Sequence, residues 1–233
     1  MSNFFNNISL FFSRFNQAAI ITVKLSLISL VFACVIGIVV GLINSIKSQS
    51  KLTRFKQMLC NIYIYIIRGT PMLVQILIIY FGIAQVLRPY GFNWSHLSGA
   101  FGAGVVALML NAGAYLSEIM RAGIESVDYG QVEAARSLGL PYGKTMTKIV
   151  LPQAVRTMLP SIINQFIISI KDTSLISAIG VAELTNVGKT IASSWSSHTM
   201  LLYLWMACYY LIICSVLAKL SKIVEKRLSY GKK

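Results

Sequence analysis

The run AAIITVKLSLISLVFACVIGIVVGLINSI, residues 18–46, carries one charge, Lys24. About 20 mostly apolar residues cross the hydrocarbon of a bilayer as a helix, so this run is long enough to span it. In lipid no water is available to the backbone, and a helix satisfies its own amides and carbonyls. Four further runs qualify by the same test, at roughly 59–86, 101–124, 159–179 and 200–220. The fold class expected is therefore all-α, a polytopic membrane protein with five transmembrane helices. No spacer, repeat or low-complexity tract divides it, and residues 1–233 read as a single domain.

Composition agrees. Hydrophobic residues make up 56% of the 233 residues and charged residues only 12%, where a soluble domain carries about 25%. Lysine and arginine number 21 against 7 acidic residues, a net charge of +14. The basic residues sit in short segments between the apolar runs, without the aromatic–basic modules that bind nucleic acid. Lys47, Lys51, Arg54 and Lys56 follow the first run. Arg136, Lys144 and Lys148 follow the third, and Lys222, Lys226, Arg227, Lys232 and Lys233 follow the fifth. The other two connections hold Arg88 and Lys189. The positive-inside rule then puts the N-terminus outside and the C-terminus in the cytoplasm. Lys24, near the outer end of its span, can snorkel to the interface. The opening MSNFFNNISLFFSRF lacks a basic start and a small-residue cleavage site, so it does not read as a signal peptide. Its phenylalanines suit the membrane interface. Cys34, Cys60, Cys208 and Cys214 are scattered through apolar sequence with no paired spacing, as reduced packing residues would be.

One cytoplasmic connection, residues 125–152, is too ordered for a plain loop. Asp128 can cap a helix with Gln131 three residues on. VEAARSL favours helix, and Gly139 can end it in the left-handed conformation. Pro141 suits the first turn of a second helix, which Pro152 is expected to stop. The product is a helix–turn–helix knuckle fit for docking.

Here the residues resemble a known family. EAARSLG at 133–139, then nine residues, then IVLP at 149–152 matches the EAA motif of ABC importer permease subunits. YIIRGTPMLVQ, NAGAYLSEIMRAGI, LPQAVRTMLPSIINQF and IKDTSLISAIGVAEL look like the branch that imports polar amino acids, although Gly113 and Ala122 depart from that branch's usual residues. The resemblance implies that Glu133, Ala134, Ala135 and Gly139 form the coupling helix that rests on an ATP-binding cassette subunit. It also implies a dimer of permeases (the same chain or a homologue), an external substrate-binding protein and residence in a prokaryotic cytoplasmic membrane. ATP and magnesium would be held by the partner subunits and no cofactor by this chain, which would not itself be an enzyme.

The sequence's other motifs are weak. GKT occurs at 143–145 and 188–190, but a phosphate-binding loop needs a glycine where Leu138 and Glu183 stand. His96 and His198 have no metal-ligand spacing. Asp128 and Asp172 are the only aspartates, and no G-x-S-x-G occurs. Charges inside the spans carry more information, because each is costly at membrane depth unless it faces water or a partner. Arg68, Glu118, Lys171 and Asp172 are such charges. With Thr70, Gln75, Tyr115, Thr173 and Ser174 they are the expected substrate-binding residues, offering a zwitterionic amino acid both signs. Tyr115 and Glu118 share a helix face, and Pro71 breaks the second span just after Arg68, Gly69 and Thr70. Ion pairing that merely braces the bundle is the alternative for these charges. A passive channel would explain them but not the knuckle, and a membrane receptor with a docking loop would explain the knuckle but not them.

Overall fold

The computed structural model describes residues 8–46 and 50–229. Phe4, Phe5, Lys47, Lys232 and Lys233, which entered the reading above, lie outside the described residues. Among the described residues eight helices longer than four residues follow one another: α1 (Ile8–Ser45), α2 (Lys51–Gly69), α3 (Met72–Tyr90), α4 (Ala100–Glu125), α5 (Tyr129–Ser137), α6 (Tyr142–Ile179), α7 (Leu184–Ser194) and α8 (Thr199–Ser229). Five of them, α1, α3, α4, α6 and α8, are long and apolar enough to cross a membrane.

The axis of the bundle is α4, which α1 follows along most of its length. Small residues make that approach possible. A Cβ added at Gly37 would stand 2.7 Å from Leu116 Cβ, and one at Gly41 would stand 2.7 Å from Met120 Cβ. Gly113 of α4 meets Ile36 of α1 as closely, at 2.9 Å. Helices in lipid gain little from hydrophobic transfer between them, so close van der Waals contact through small residues is what joins them. The outer face of α1, with Val31, Phe32, Val35 and Val39 exposed, is left to lipid.

Two boundaries differ from the sequence reading. Helix α1 begins at Ile8, not near residue 18, because Phe11, Phe15 and Ala18 recur at helical spacing and bury against Leu184, Ile191 and Leu202 of α7 and α8. Phe15 stacks on Tyr209 at 5.6 Å, and Tyr209 Oη donates to Asn16 Oδ1 at 2.7 Å. Those two phenylalanines are therefore packed between helices and not spread on the interface. Pro152 does not stop the second knuckle helix. The chain passes through a π turn at Met146–Val150 and continues as α-helix from Leu151 with Pro152 in its first turn. The wider turn shifts the hydrogen-bond register, so the proline's missing amide leaves no gap in the ladder. Thus α6 extends to the knuckle.

The run at 59–86 divides as Pro71 requires. Thr70 and Pro71 are extended, at ψ 146° and 135°, between α2 and α3. Arg68 consequently stands in the last turn of α2, beside the break, and not within an unbroken span.

Replacing Gly37 by leucine forces α1 off α4. Overpacking of this kind costs about 1–3 kcal/mol, so the purified protein should unfold at lower temperature than wild type. Gly82→Ala, where the nearest atom is 3.8 Å away, should leave the transition unmoved in the same thermal assay.

Candidate functional site

A break between two consecutive helices strands carbonyls at the end of one and amides at the start of the next. Gln75, in the first turn of α3, occupies that gap. Its Nε2 donates to Ile67 O at 2.7 Å, Thr70 O at 3.0 Å and Thr70 Oγ1 at 2.9 Å. Its Oε1 accepts from Asn111 Nδ2 of α4 at 3.1 Å. Thr70 Oγ1 in turn donates to Ile66 O at 2.8 Å. Both side chains thus hold the bend open and fix it to α4. Tyr63 adds a second tie, donating to Leu110 O at 2.6 Å.

The bend presents Arg68 to α4. Its Nη1 lies 2.9 Å from Glu118 Oε2, and its guanidinium sits 5.3 Å from the centre of the Tyr115 ring. The other carboxylate oxygen, Oε1, is 3.3 Å from Arg121 Nε, and Arg121 Nη1 reaches Glu125 Oε2 at 2.8 Å. Arg68, Glu118, Arg121 and Glu125 therefore form an alternating ladder down one side of α4. The Arg68 and Glu118 side chains are 41% and 29% exposed, so the pair is open to a ligand rather than sealed. Spacing of three and four residues along α4 places Arg121 between two acids. That signal stands in the sequence, and the sequence reading did not use it.

Lys171, Asp172, Thr173 and Ser174 form a second group, where α6 tightens into a 3-10 turn at Thr173–Ile179. Thr173 is fully buried and donates to Ile170 O at 2.7 Å. Lys171 is exposed and Asp172 half-buried, and neither forms an ion pair with a described residue. Lys171 and Ser174 line a cleft of about 570 Å³ against Thr185 and the Met206–Cys214 face of α8. No described hydrogen bond joins this group to the ladder. The two groups flank a shared wall instead, where Ile176 and Ile179 pack with Ile76 and Leu108.

A buried acid next to this second group escaped the sequence reading. Glu183 is fully buried and caps α7, accepting from Asn186 N at 2.7 Å, Thr185 N at 2.8 Å and Tyr210 Oη at 2.9 Å. Burial pushes its carboxyl above the ordinary range, while the two backbone amides pull it down. Thr22 of α1 accepts from Leu184 N at 3.2 Å, so the start of α7 is fixed to both α1 and α8. A glutamate ahead of a helix is a weak sequence sign, and only the tertiary partners identify the role.

At the far end of the ladder α4 leads through Ser126 into the knuckle. Asp128 Oδ1 accepts from Gly130 N at 2.8 Å and starts α5. Leu140 N donates to Ala135 O at 3.1 Å and Gly139 N to Arg136 O at 3.0 Å, with Gly139 at φ +80°. This paired closure with a left-handed glycine is the Schellman arrangement. Ala135 is buried, whereas Glu133, Ala134 and Gly139 are exposed, and Leu138 is 82% exposed. The knuckle therefore offers an uncovered surface.

Residues 33–230 match the family described as binding-protein-dependent transport system inner membrane component. The arginine transport system permease protein ArtQ of Bacillus subtilis is 35% identical over 210 residues, 89% of each chain. The L-cystine transport system permease protein TcyB of the same organism is 38% identical over 207 residues, 89% of this chain and 83% of that one. A crystal structure of an amino acid ABC transporter with histidines superposes with a TM-score of 0.83 at 35% identity, covering 96% of this chain and 98% of the other.

Gln75→Leu would keep the size of the side chain and remove every bond across the break. Each buried polar group left unpaired costs about 1–3 kcal/mol. The variant should lose thermal stability, and the Tyr63 to Leu110 tie should not rescue it.

Proposed function

The chain belongs to the binding-protein-dependent transport system inner membrane components, and from that premise we propose that it is the permease subunit of an ATP-driven importer carrying a polar amino acid. The observation that carries the reading is α4 itself. One helix holds Glu118, the acid of a ligand-accessible pair with Arg68, and two turns on delivers the chain to an uncovered helical knuckle.

The zwitterion inserts into the Arg68–Glu118 pair. Its carboxylate takes the Arg68 guanidinium over the Tyr115 ring, and its ammonium takes the Glu118 oxygen that Arg68 gives up. Arg121 keeps Glu118 aimed throughout. One ion pair is exchanged for two, so no charge is left bare in a low-dielectric setting. Lys171, Asp172 and Ser174, with Thr173 fixing their turn, face the part of the substrate beyond its backbone groups. Thr70 and Gln75 hold the bend that presents Arg68.

Glu133, Ala134 and Gly139 dock on an ATP-binding cassette subunit, with buried Ala135 letting α5 seat on the bundle. A dimer of those subunits holds ATP and magnesium. A second permease, this chain or a homologue, completes the pathway, and an external binding protein supplies the amino acid. Closure of the ATP-bound dimer draws the knuckles together, and the cavity alternates between outward and inward access. The N-terminus lies outside a prokaryotic cytoplasmic membrane and the C-terminus inside.

Uptake by the complete complex in proteoliposomes tests the reading. Wild type should import amino acid only with ATP on the cytoplasmic side. Glu118→Gln should weaken substrate affinity by roughly ten- to a hundredfold, the loss of about 1.5–3 kcal/mol for a charge-assisted bond, with the complex intact and still hydrolysing ATP. Unchanged affinity with a lower melting temperature would assign the ladder to bracing the bundle. Gly139→Val, forced to φ +80° where a branched side chain is strained, should lower ATP hydrolysis and uptake together.

Orientation has its own test. Cysteines placed at Lys51, Lys144 and Lys232 should resist an impermeant thiol reagent in intact cells while one at Lys189 reacts. Labelling at Lys144 from outside would reverse the topology.

A further inference from the structure

Behind the knuckle lies a cleft of about 630 Å³, bounded by the last turns of α1 and α4, by α5 and by the start of α6. Tyr129, Val132 and Arg136 all line it and stand at i, i+3 and i+7 of α5. They share one face of that helix. Glu133 and Ala134 are not among the lining residues, so the docking surface and the cleft occupy different faces.

The lining has a definite chemistry. Ile124, Val132 and Met146 make an apolar wall. Two charges meet it, Glu125 and Arg136. Glu125 is already paired with Arg121 at 2.8 Å, whereas Arg136 forms no ion pair with a described residue. The uncommitted charge is positive. Asn44 donates to Asn61 through Nδ2 at 3.0 Å, but its buried Oδ1 has no partner among the described residues. The cleft thus suits an anion with an apolar tail.

Its level in the fold says where such a molecule comes from. Ser45 ends α1 and Glu125 ends α4, so the cleft opens where two spans leave the hydrocarbon. Lys144 and Lys148 lie on the adjoining turns of α6. A basic pocket between span ends on the cytoplasmic side suits an anionic headgroup, and each nearby lysine or arginine adds to the attraction toward an anionic leaflet.

We propose that this cleft holds one anionic phospholipid of the inner leaflet, phosphatidylglycerol in chemistry. The phosphate sits on Arg136, and an acyl chain lies along Ile124, Val132 and Met146. The lipid then fills the space between α5 and the span ends and props the knuckle at a fixed height above the membrane. The proposal depends on the importer reading only for the choice of leaflet. Its test reads lipid retention and not transport, so either can fail without the other.

The test takes the purified complex from nanodiscs containing phosphatidylcholine and phosphatidylglycerol through a detergent wash into native mass spectrometry. Wild type should keep one phosphatidylglycerol for each copy of this chain and release phosphatidylcholine. Arg136→Gln should lower that occupancy about tenfold, and Arg136→Lys should largely restore it. Met146→Trp, which fills the wall without touching charge, should lower it as well. Arg136 is exposed, so its variants decide the matter even if Met146→Trp fails to assemble. Wild-type retention by Arg136→Gln would overturn the proposal. So would displacement of the lipid by inorganic phosphate or glycerol phosphate, which would make the cleft a site for soluble anions. Equal retention of phosphatidylcholine would likewise overturn it, leaving a non-selective lipid groove.

Discussion

A membrane interior tolerates irregular backbone only where something other than water answers the freed amides and carbonyls. The bend at Thr70–Pro71 is such a place, and Gln75 answers it with four contacts from one side chain. Much else depends on this. The bend turns Arg68 toward α4, the Asn111 contact fixes the bend to the bundle axis, and the Arg68–Glu118 pair forms across the angle so created. A continuous helix over the same residues would carry Arg68 past Glu118 on a straight track. The proline makes the bend and the glutamine makes it affordable at that depth.

The electrostatics of α4 follow from the same geometry. A lone carboxylate among apolar helices would be costly, and two arginines on Glu118 offset that cost from opposite ends. The arrangement stays half-open, with the Tyr115 ring under one guanidinium. Stability alone would favour a sealed pair or an apolar replacement. An open, compensated pair suits a visitor that is itself positive at one end and negative at the other.

Much of this was legible in the sequence. Apolar length gave the spans, because the bilayer imposes length directly. Pro71, Asp128 and Gly139 act through their own backbone chemistry, so the bend and the knuckle could be read residue by residue. Properties that depend on a distant partner were harder. Phe11 and Phe15 extend α1 only because α7 and α8 lie opposite them. Glu183 matters through Tyr210, 27 residues on. Gln75 and Thr70 are expected among the substrate contacts, and in the structure Gln75 Nε2 and Thr70 Oγ1 also bond backbone carbonyls at the bend. A buried amide near a cavity looks the same in sequence whether it serves a ligand or the chain itself. Pro152 failed as a stop for a different reason: a π turn upstream changed which amide was needed.

The glycine seam between α1 and α4 has a mechanical consequence. Side chains can swap rotamers and let two helices slide, but backbones touching at Gly37, Gly41 and Gly113 have no such slack. The two helices must therefore travel as one rigid keel, and any rearrangement of the bundle has to be taken up elsewhere. To either side of the keel lie α2, whose apolar residues are mostly exposed, and α8, which is little buried. The ion-pair ladder is fixed to the keel at Glu118, Arg121 and Glu125, and Arg68 reaches it from α2, itself tied to α4 through Tyr63. The Arg68–Glu118 pair is then the point at which a helix outside the keel is pinned to it.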